Sequence, residues 1–568
     1  MREPNGSARS IIDWAKKARL DRGQRRAFEI MASTFVLSFY RSASTTVSRG
    51  QRVRHLFTSE KSRLEKLAEV RRRQSDQLIC LLHGPGGSGK TTVIDLMMEY
   101  AREYCALLDN YEFNSRTIVV TAMTGVAATI LLGETTHSAV YLNQQKPIQT
   151  EQVELWESTR LLIIDEISFA SKEDFAELHR KLRRLKQSMH LPYGGLDIIF
   201  AGDFRQLEPV GALKKPVYTE DCPEFRDWLN CFIELTRMHR FKDDPEWGRL
   251  LLRFRDGRVT ADDIDKINER LVTAQTELPP DIKYATYFNR DRDSINAALF
   301  EEHCRSLNDK TGNTDDSIMI FCDNVHVQNN HKTYMPFRNC ATFWENTAEN
   351  DVTLPKGAGR MDPVLRLYRG CRVMLPCNSD VRRGLANGTQ ATFQKVVLKP
   401  GEVTQQVTLD GDIPVAAVHA SQVDHVILRH TNSRIQPATF SLQPKRQTFK
   451  AQILKPRTLQ VAGSERETLQ MKATQLPLLI NNATTGHKLQ GTGVDAIFVH
   501  NWSYVTNWVY VMLSRVRTHA GLFARQKLSN DLSKYDVPLA LQRMLQQFRS
   551  KAPTYWTEDE YEELFMSD

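Results

Sequence analysis

Four apolar runs punctuate the first half of the chain: Leu78–Leu82 (LICLL), Ile118–Ala122 (IVVTA), Leu161–Ile164 (LLII) and Ile198–Ala201 (IIFA). Each is short and runs into a turn rich in glycine, threonine or acid, the pattern of a buried strand. Elsewhere the period lengthens. Phe175, Leu178, Leu182 and Leu185 share one face of SKEDFAELHRKLRRLKQ, and Leu20, Ala27, Phe28, Met31 and Phe35 form a helical stripe near the start. From about Tyr368 to Thr474 the pattern changes to shorter strands (CRVMLP, TQATFQKVVL, PGEVTQQVTLDGD, AAVHA) with turn signals at Asn387-Gly388 and Asp410-Gly411. Strands alternating with helices predict an α/β fold, and the second half predicts a small β-barrel.

A chain of 568 residues exceeds the roughly 250 to 300 at which single cores stop growing, so at least two domains are expected. Apolar and charged fractions of 41% and 25% are ordinary for a globular protein, and the net charge of +8 leans toward a polyanionic partner. The longest uncharged run, Thr117–Gly133, falls short of the roughly 20 apolar residues a spanning helix needs. It is read as a buried strand and the turn after it, with no membrane involvement. Nine cysteines without a CxxC pair, and an opening without an apolar signal core, predict a reduced intracellular protein. Cys371 and Cys377 lack nearby His or Cys partners and read as ordinary thiols, not metal ligands.

LICLL leads into GPGGSGKT, that is Gly84, Pro85, Gly86, Gly87, Ser88, Gly89, Lys90 and Thr91, with Thr92 next and a helical pattern after it. Glycines let backbone N–H groups close around phosphate oxygens, Lys90 reaches the β- and γ-phosphates of ATP, and the Thr91 hydroxyl takes Mg²⁺. RLLIIDEIS delivers two carboxylates at a strand tip, suiting Asp165 to Mg²⁺ and Glu166 to orienting the attacking water. Gln206, just past the strand in LDIIFAGDFRQLEPV, is placed to sense the γ-phosphate, though an isolated glutamine there is usually only solvated. Gln24 falls on the apolar face of its helix, which leaves two readings: contact with the adenine edge, or a polar boundary residue. Arg180, Lys181, Arg183, Arg184 and Lys186 form either a solvated face or a nucleic-acid contact.

The order LDRGQRRAFE, HGPGGSGKTT, TAMTGVAATILLGETTHS, IIDEIS, DFAELHRKLRRLKQSMHLPYGGL, AGDFRQLEPV, LTRMHRF, ATYFNR, GCRVMLPCN with GLANGTQ, ATTGHKLQG and VYVMLSRVR resembles the Pif-one family of DNA helicases and its RecD-like relatives in helicase superfamily one. The resemblance spans about Leu20 to Leu522. It implies two RecA-like P-loop NTPase domains that share the ATP site, with an inserted Src-homology-three-type β-barrel. It implies that Arg240 and Arg515 reach the transferred phosphate, and that His487, Lys488, Gln490 and Gly491 link nucleotide state to the strand. Thr124, Gly125, His137, Ser138, Asn289 and Thr484 or Thr485 are the DNA contacts it implies. Four departures, Ala139 after His137-Ser138, Phe241, Glu208 and TTGHKLQG, bear on strand grip and point to a divergent branch, such as one associated with Helitron-type elements.

The expected division is an N-terminal helical region with linker (1–75), a first RecA-like domain (76–235), a second in two parts (236–367 and 475–550), the barrel (368–474) and an acidic tail (551–568). Arg41–Phe57 reads as a linker into a charged helix, the basic stretch Arg429–Arg457 as a phosphate contact or a flexible barrel loop, and the tail as solvated or as docking a protein partner. The resemblance implies an ATP- and Mg²⁺-dependent helicase moving 5′ to 3′ on single-stranded DNA and unwinding tailed or forked duplexes, with the nucleus favoured over the mitochondrion. Two alternatives remain: an RNA or RNA–DNA hybrid motor, and a nucleotide-gated scaffold without turnover.

Overall fold

The computed structural model describes residues 10–41 and 77–550, apart from 107, 109–110, 143, 145–146, 210–213, 220–221, 312–315, 329–330, 335–361, 363, 378, 380–383, 410–411, 455–465 and 490. The anticipated linker and charged helix before residue 77, the turn at Asp410-Gly411, Gln490 and the acidic tail therefore lie outside the described residues. Contacts divide the chain into two compact units, one of residues 1–282 with 489–568 and one of residues 283–488. This grouping differs from the six-part division, which followed motif order.

The first unit is built on a six-stranded sheet, β1 (Ile79–His83), β2 (Ile118–Ala122), β3 (Glu134–Thr135), β4 (Leu161–Asp165), β5 (Asp197–Gly202) and β6 (Cys231–Glu234). The order is β3-β2-β4-β5-β1-β6, and every pairing is parallel. Helices cover both faces, so β1, β4 and β5 are buried throughout and need continuous apolar runs. One face packs α1 (Ile11–Lys17), α2 (Arg22–Arg41) and α3 (Lys90–Ala106); the predicted stripe Ala27, Phe28, Met31 and Phe35 lies in that core. The other packs helices Lys172–Leu185 and Leu539–Ser550 through Phe175, Leu178, Leu182, Leu185, Leu545 and Phe548. Parallel pairing brings the carboxyl ends of β1, β2, β4 and β5 to one edge, where ligands of open α/β sheets bind.

Two expectations change here. After β2 the chain forms a short helix, Gly125–Ile130, because the Thr124 side chain accepts from Ala127 N–H and caps it. The cationic helix face is partly internal: Lys181 is buried and donates to Gln144 O, and Lys186 donates to the carbonyls of Trp156, Glu157 and Thr159. Those lysines satisfy loop carbonyls that would otherwise be unpaired.

In the second unit Lys283–Thr286 and Ala483–Thr485 pair in parallel beside the long helix Asn289–Thr311. Two sheets, ordered 364–368, 317–321, 413–419, 405–409 and 439–442, 423–430, 390–398, 372–374, 479–480, share one core of Ile318, Leu365, Val373, Phe393, Val426 and Leu428. Register shifts at Phe393/Lys395 and Val397/Leu398 bend the longest of these strands, as barrel-like curvature requires. The β-rich region thus begins at Ser317, upstream of the expected start. The basic stretch after His430 forms strands Thr439–Leu442 and Lys445–Leu454, the latter paired over ten residues with Arg466–Gln475, not a flexible loop.

Candidate nucleotide-binding active site

The turn between β1 and α3 is shaped by atoms pressed against its glycines. Gly87 and Gly89 have φ of +87° and +86°, and a Cβ on Gly89 would stand 2.0 Å from Gln24 Nε2. Gln24 is buried on α2; its Nε2 donates to Ser88 O at 3.1 Å and its Oε1 accepts from Asp21 N–H at 3.2 Å. The structure thus places Gln24 behind the loop as a clamp. Lys90 Nζ donates to the carbonyls of Gly84 (2.7 Å) and Pro85 (3.2 Å). Burial lowers the Lys90 pKa despite the pull of Asp203, Asp165 and Glu166.

Gly86, Gly87, Gly89, Lys90, Thr91 and Thr92 line a cavity of about 520 Å³ together with Asp165, Glu166, Gln206, Arg240, Gly491 and Arg515. Residues as distant in sequence as Gly86 and Arg515 therefore face one space. Ser88 is buried beneath it, so of this residue only the backbone is offered to a phosphate. Asp165 ends β4, and burial, with Glu166 beside it, raises its pKa to about 7 against the opposing effect of Lys90. Glu166 follows in a left-handed conformation, φ 54° and ψ 42°, a strained geometry for a side chain that is kept where function demands it. The Asp165 carboxyl and the Thr91 hydroxyl, both lining this cavity, are oxygen ligands of the kind that fit Mg²⁺, which takes one or two protein oxygens and completes its shell with phosphate and water. Among the described residues no group of three or more His, Cys, Asp or Glu forms an all-protein metal cage.

The same cavity is lined by two arginines, Arg240 and Arg515. Arg240 follows β6 and donates to Ser514 O at 3.2 Å. Arg515 is fully buried after helix Trp508–Leu513, and donates to the carbonyls of Val511, Leu489 and Thr492. A Cβ on Gly86 would lie 3.6 Å from an Arg515 terminal nitrogen, 3.8 Å from one of Arg240 and 3.8 Å from Gln206 Nε2, so three donors converge over the loop. Burial lowers both guanidinium pKa values, that of Arg515 to about 10 with Arg240 contributing. Two desolvated guanidinium groups beside Gly86, in a cavity that Lys90 also lines, form a site that a polyanion relieves. Gly491, at φ +78°, would bring a Cβ to 3.3 Å from Glu166 Oε1.

Sequence reading missed the support beneath Gln206. Asp203 makes a two-point contact with Arg255, 3.1 Å to Nε and 3.0 Å to a terminal nitrogen, both residues buried. Burial opposes its ionisation, but Arg255 and His83 outweigh burial and hold Asp203 well below the usual carboxylate range. Their separation of 52 positions carries no periodic signal. His239, Lys242, Asp243, Gly493 and Arg517 also line the cavity without having been singled out.

The DNA-contact candidates are distributed over both units. In the first, Thr124 caps Gly125–Ile130, His137 lies 3.7 Å from Asp174 Oδ1, and Ser138 is exposed. In the second, Asn289 starts the long helix, accepting from Arg292 at 3.0 Å. Thr485, His487 and Lys488 are half-buried, whereas Thr484 is only 2% exposed; of the two threonines, Thr485 is the accessible one.

A family model described as PIF1-like helicase matches residues 56–263. The chain is 26% identical over 423 residues to the ATP-dependent DNA helicase PIF1 of Xenopus laevis and 28% identical over 423 residues to that of Danio rerio, in each case covering 72% of this chain and 54% of the relative. It thus spans about half the length of these curated relatives. Among solved structures, a crystal structure of Bacteroides Pif1 bound to ssDNA matches with a TM-score of 0.56 and 22% identity, covering 86% of this chain and 97% of the other. The crystal structure of Pif1 helicase from Candida albicans matches with a TM-score of 0.57 and 18% identity, covering 87% and 99%.

Proposed function

Because this chain belongs to the PIF1-like helicase family, we propose that it is an ATP-dependent DNA helicase that moves 5′ to 3′ on single strands. The observation that carries the reading is the convergence of Gln206, Arg240 and Arg515 on the phosphate loop of Lys90, in one cavity with Asp165 and Glu166. Lys90 leaves the loop carbonyls to bind the β- and γ-phosphates, and Glu166 orients the attacking water and accepts its proton. Arg240 and Arg515 neutralise charge spreading over the transferred phosphoryl group, for which the planar, always-charged guanidinium suits. Asp165 and Thr91 would hold Mg²⁺, which would supply further charge neutralisation when bound.

The nucleic-acid partner is single-stranded DNA with tailed or forked duplexes, gripped through phosphates and sugars by Thr124, Gly125, His137 and Ser138 and by Asn289, Thr485, His487 and Lys488. Charge supports this: residues 283–488 hold 26 Lys and Arg against 19 Asp and Glu, nearly the whole net excess of the chain. Binding is therefore expected to tolerate any base sequence and to weaken steeply with salt. We place its DNA in the nucleus and assign protein docking to the acidic tail 551–568. The test is a labelled duplex with a 5′ or a 3′ single-stranded tail, ATP and Mg²⁺, with Lys90→Ala as control. Unwinding of the 5′-tailed duplex alone is expected, and preference for the 3′ tail overturns the polarity.

A further inference from the structure

Near Gly86 lie a buried hydroxyl whose proton meets no acceptor and a buried amide oxygen that meets no donor. The Tyr510 hydroxyl and Gln206 Oε1 have no hydrogen-bond partner among the described residues, and the two residues are 2% and 4% exposed. A phenol hydroxyl donates and an amide oxygen only accepts, so the pair is complementary. Both stand around one glycine. Gln206 Nε2 is 3.8 Å from the Cβ position of Gly86, and the Gly86 N–H is directed at the Tyr510 hydroxyl oxygen, which leaves the hydroxyl proton to be donated elsewhere. Their elements are joined as well: Asn507 donates from Nδ2 to Gln206 O at 2.8 Å and occupies the N-cap of helix Trp508–Leu513. Tyr510 lies three residues on, where helical spacing returns to the same side. Burial, and then Asp203, push the phenol well above its ordinary pKa, which keeps its proton in place.

Buried polar groups are almost always paired, so an unmatched donor and an unmatched acceptor around the same glycine point to a contact completed in another state. We propose that Tyr510 is a positioning residue for triphosphate recognition: when a nucleoside triphosphate fills the cavity, its hydroxyl donates to Gln206 Oε1 and fixes the amide with Nε2 toward the γ-phosphate. The two ends of a glutamine amide are nearly the same shape. Without a donor on Oε1 the amide can turn over and present an acceptor oxygen to an anion, which repels it. A diphosphate has no γ-oxygens to be read, so the contact separates ATP from ADP. The inference rests on the ATP-site reading given above.

The experiment uses the full chain with Tyr510→Phe, Gln206→Met and the double variant. It measures binding of Mg²⁺ with ADP and with a non-hydrolysable ATP analogue, together with unfolding temperature without nucleotide. The expected result for Tyr510→Phe is an unchanged or raised unfolding temperature, unchanged ADP affinity and about fivefold weaker analogue binding. The double variant should bind the analogue no more weakly than Gln206→Met alone, since one interaction is lost in both. Equal weakening toward ADP and the analogue, a fall of several degrees in unfolding temperature, or additive losses would overturn the positioning role. Wild-type protein that binds neither nucleotide would overturn the ATP-site reading, whereas wild-type binding with preference unchanged in Tyr510→Phe overturns only this inference.

Discussion

Gly87→Ala probes whether the phosphate loop and the arginine above it are built to a single fit. A Cβ on Gly87 would stand 2.4 Å from the Arg240 Cβ. Carbon atoms in contact sit about 3.5–4.0 Å apart, so one side must retreat by about 1 Å or more. Retreat is resisted: His239 N–H donates to Gly87 O at 2.9 Å, Arg240 is tied to Ser514 O, and Phe241 is buried. The left-handed backbone at Gly87 adds about 1–2 kcal/mol of strain for a residue with a Cβ. A displacement of about 1 Å at a catalytic group costs on the order of 100-fold in rate. The expected outcome is ATP turnover lowered about 100-fold, with an unfolding temperature lower by about 2–8 °C, at about 2–4 °C per kcal/mol. Steady-state ATPase assays with single-stranded DNA and thermal unfolding check both. Turnover within threefold of wild type at an unchanged unfolding temperature would refute the reasoning, because it would mean that Arg240 does not depend on this contact.

Lys90→Ala should abolish ATPase activity while the protein remains folded; near-normal turnover would show that the loop is not the phosphate site. Glu166→Gln should keep Mg²⁺–ATP binding, through Asp165 and Lys90, but hydrolyse very slowly, and a variant unable to bind nucleotide would give Glu166 another role. Arg240→Ala and Arg515→Ala should each lower turnover within the ~10³ to 10⁵ range associated with arginine fingers; Arg515→Ala should also lower the unfolding temperature, since three backbone carbonyls lose a donor, and losses of only two- or threefold in both would exclude them from the transferred phosphate. Asp203→Asn should destabilise by about 3 kcal/mol, as buried Arg255 loses its two-point carboxylate partner and keeps, among the described residues, only Asp256 at 3.6 Å. Since the folded Asp203 pKa is depressed, its stabilisation is complete above the ordinary carboxylate value of 3.8 and is lost as pH falls below it; acid unfolding curves of wild type and Asp203→Asn should therefore converge below about pH 4, and parallel curves would rule out this ion pair as their cause.

Local features were legible in the sequence. The phosphate loop, the carboxylates of β4 and the apolar stripe of α2 each arise from neighbouring residues whose periodicity or turn chemistry acts over a few positions, and each lies where expected. The short helix at Gly125–Ile130 was missed because one side-chain cap at Thr124 decided it, and the strand Lys445–Leu454 because its partner begins at Arg466. Lys181 and Lys186 looked like surface charge, and only the placement of loop carbonyls from residues 144 and 156–159 made them internal donors.

Composition and short-range pattern by themselves determined an α/β chain with a phosphate-binding turn, because strand burial, helical stripes and glycine-rich turns act through neighbouring residues. Only the tertiary structure decided that Arg240 and Arg515 converge on Gly86, that Gly491 abuts Glu166, that Arg255 neutralises Asp203 and that Tyr510 and Gln206 both neighbour Gly86. Charge and hydrogen-bond interactions act through space, with strengths set by distance and desolvation, and the chain separation of these residues encodes neither.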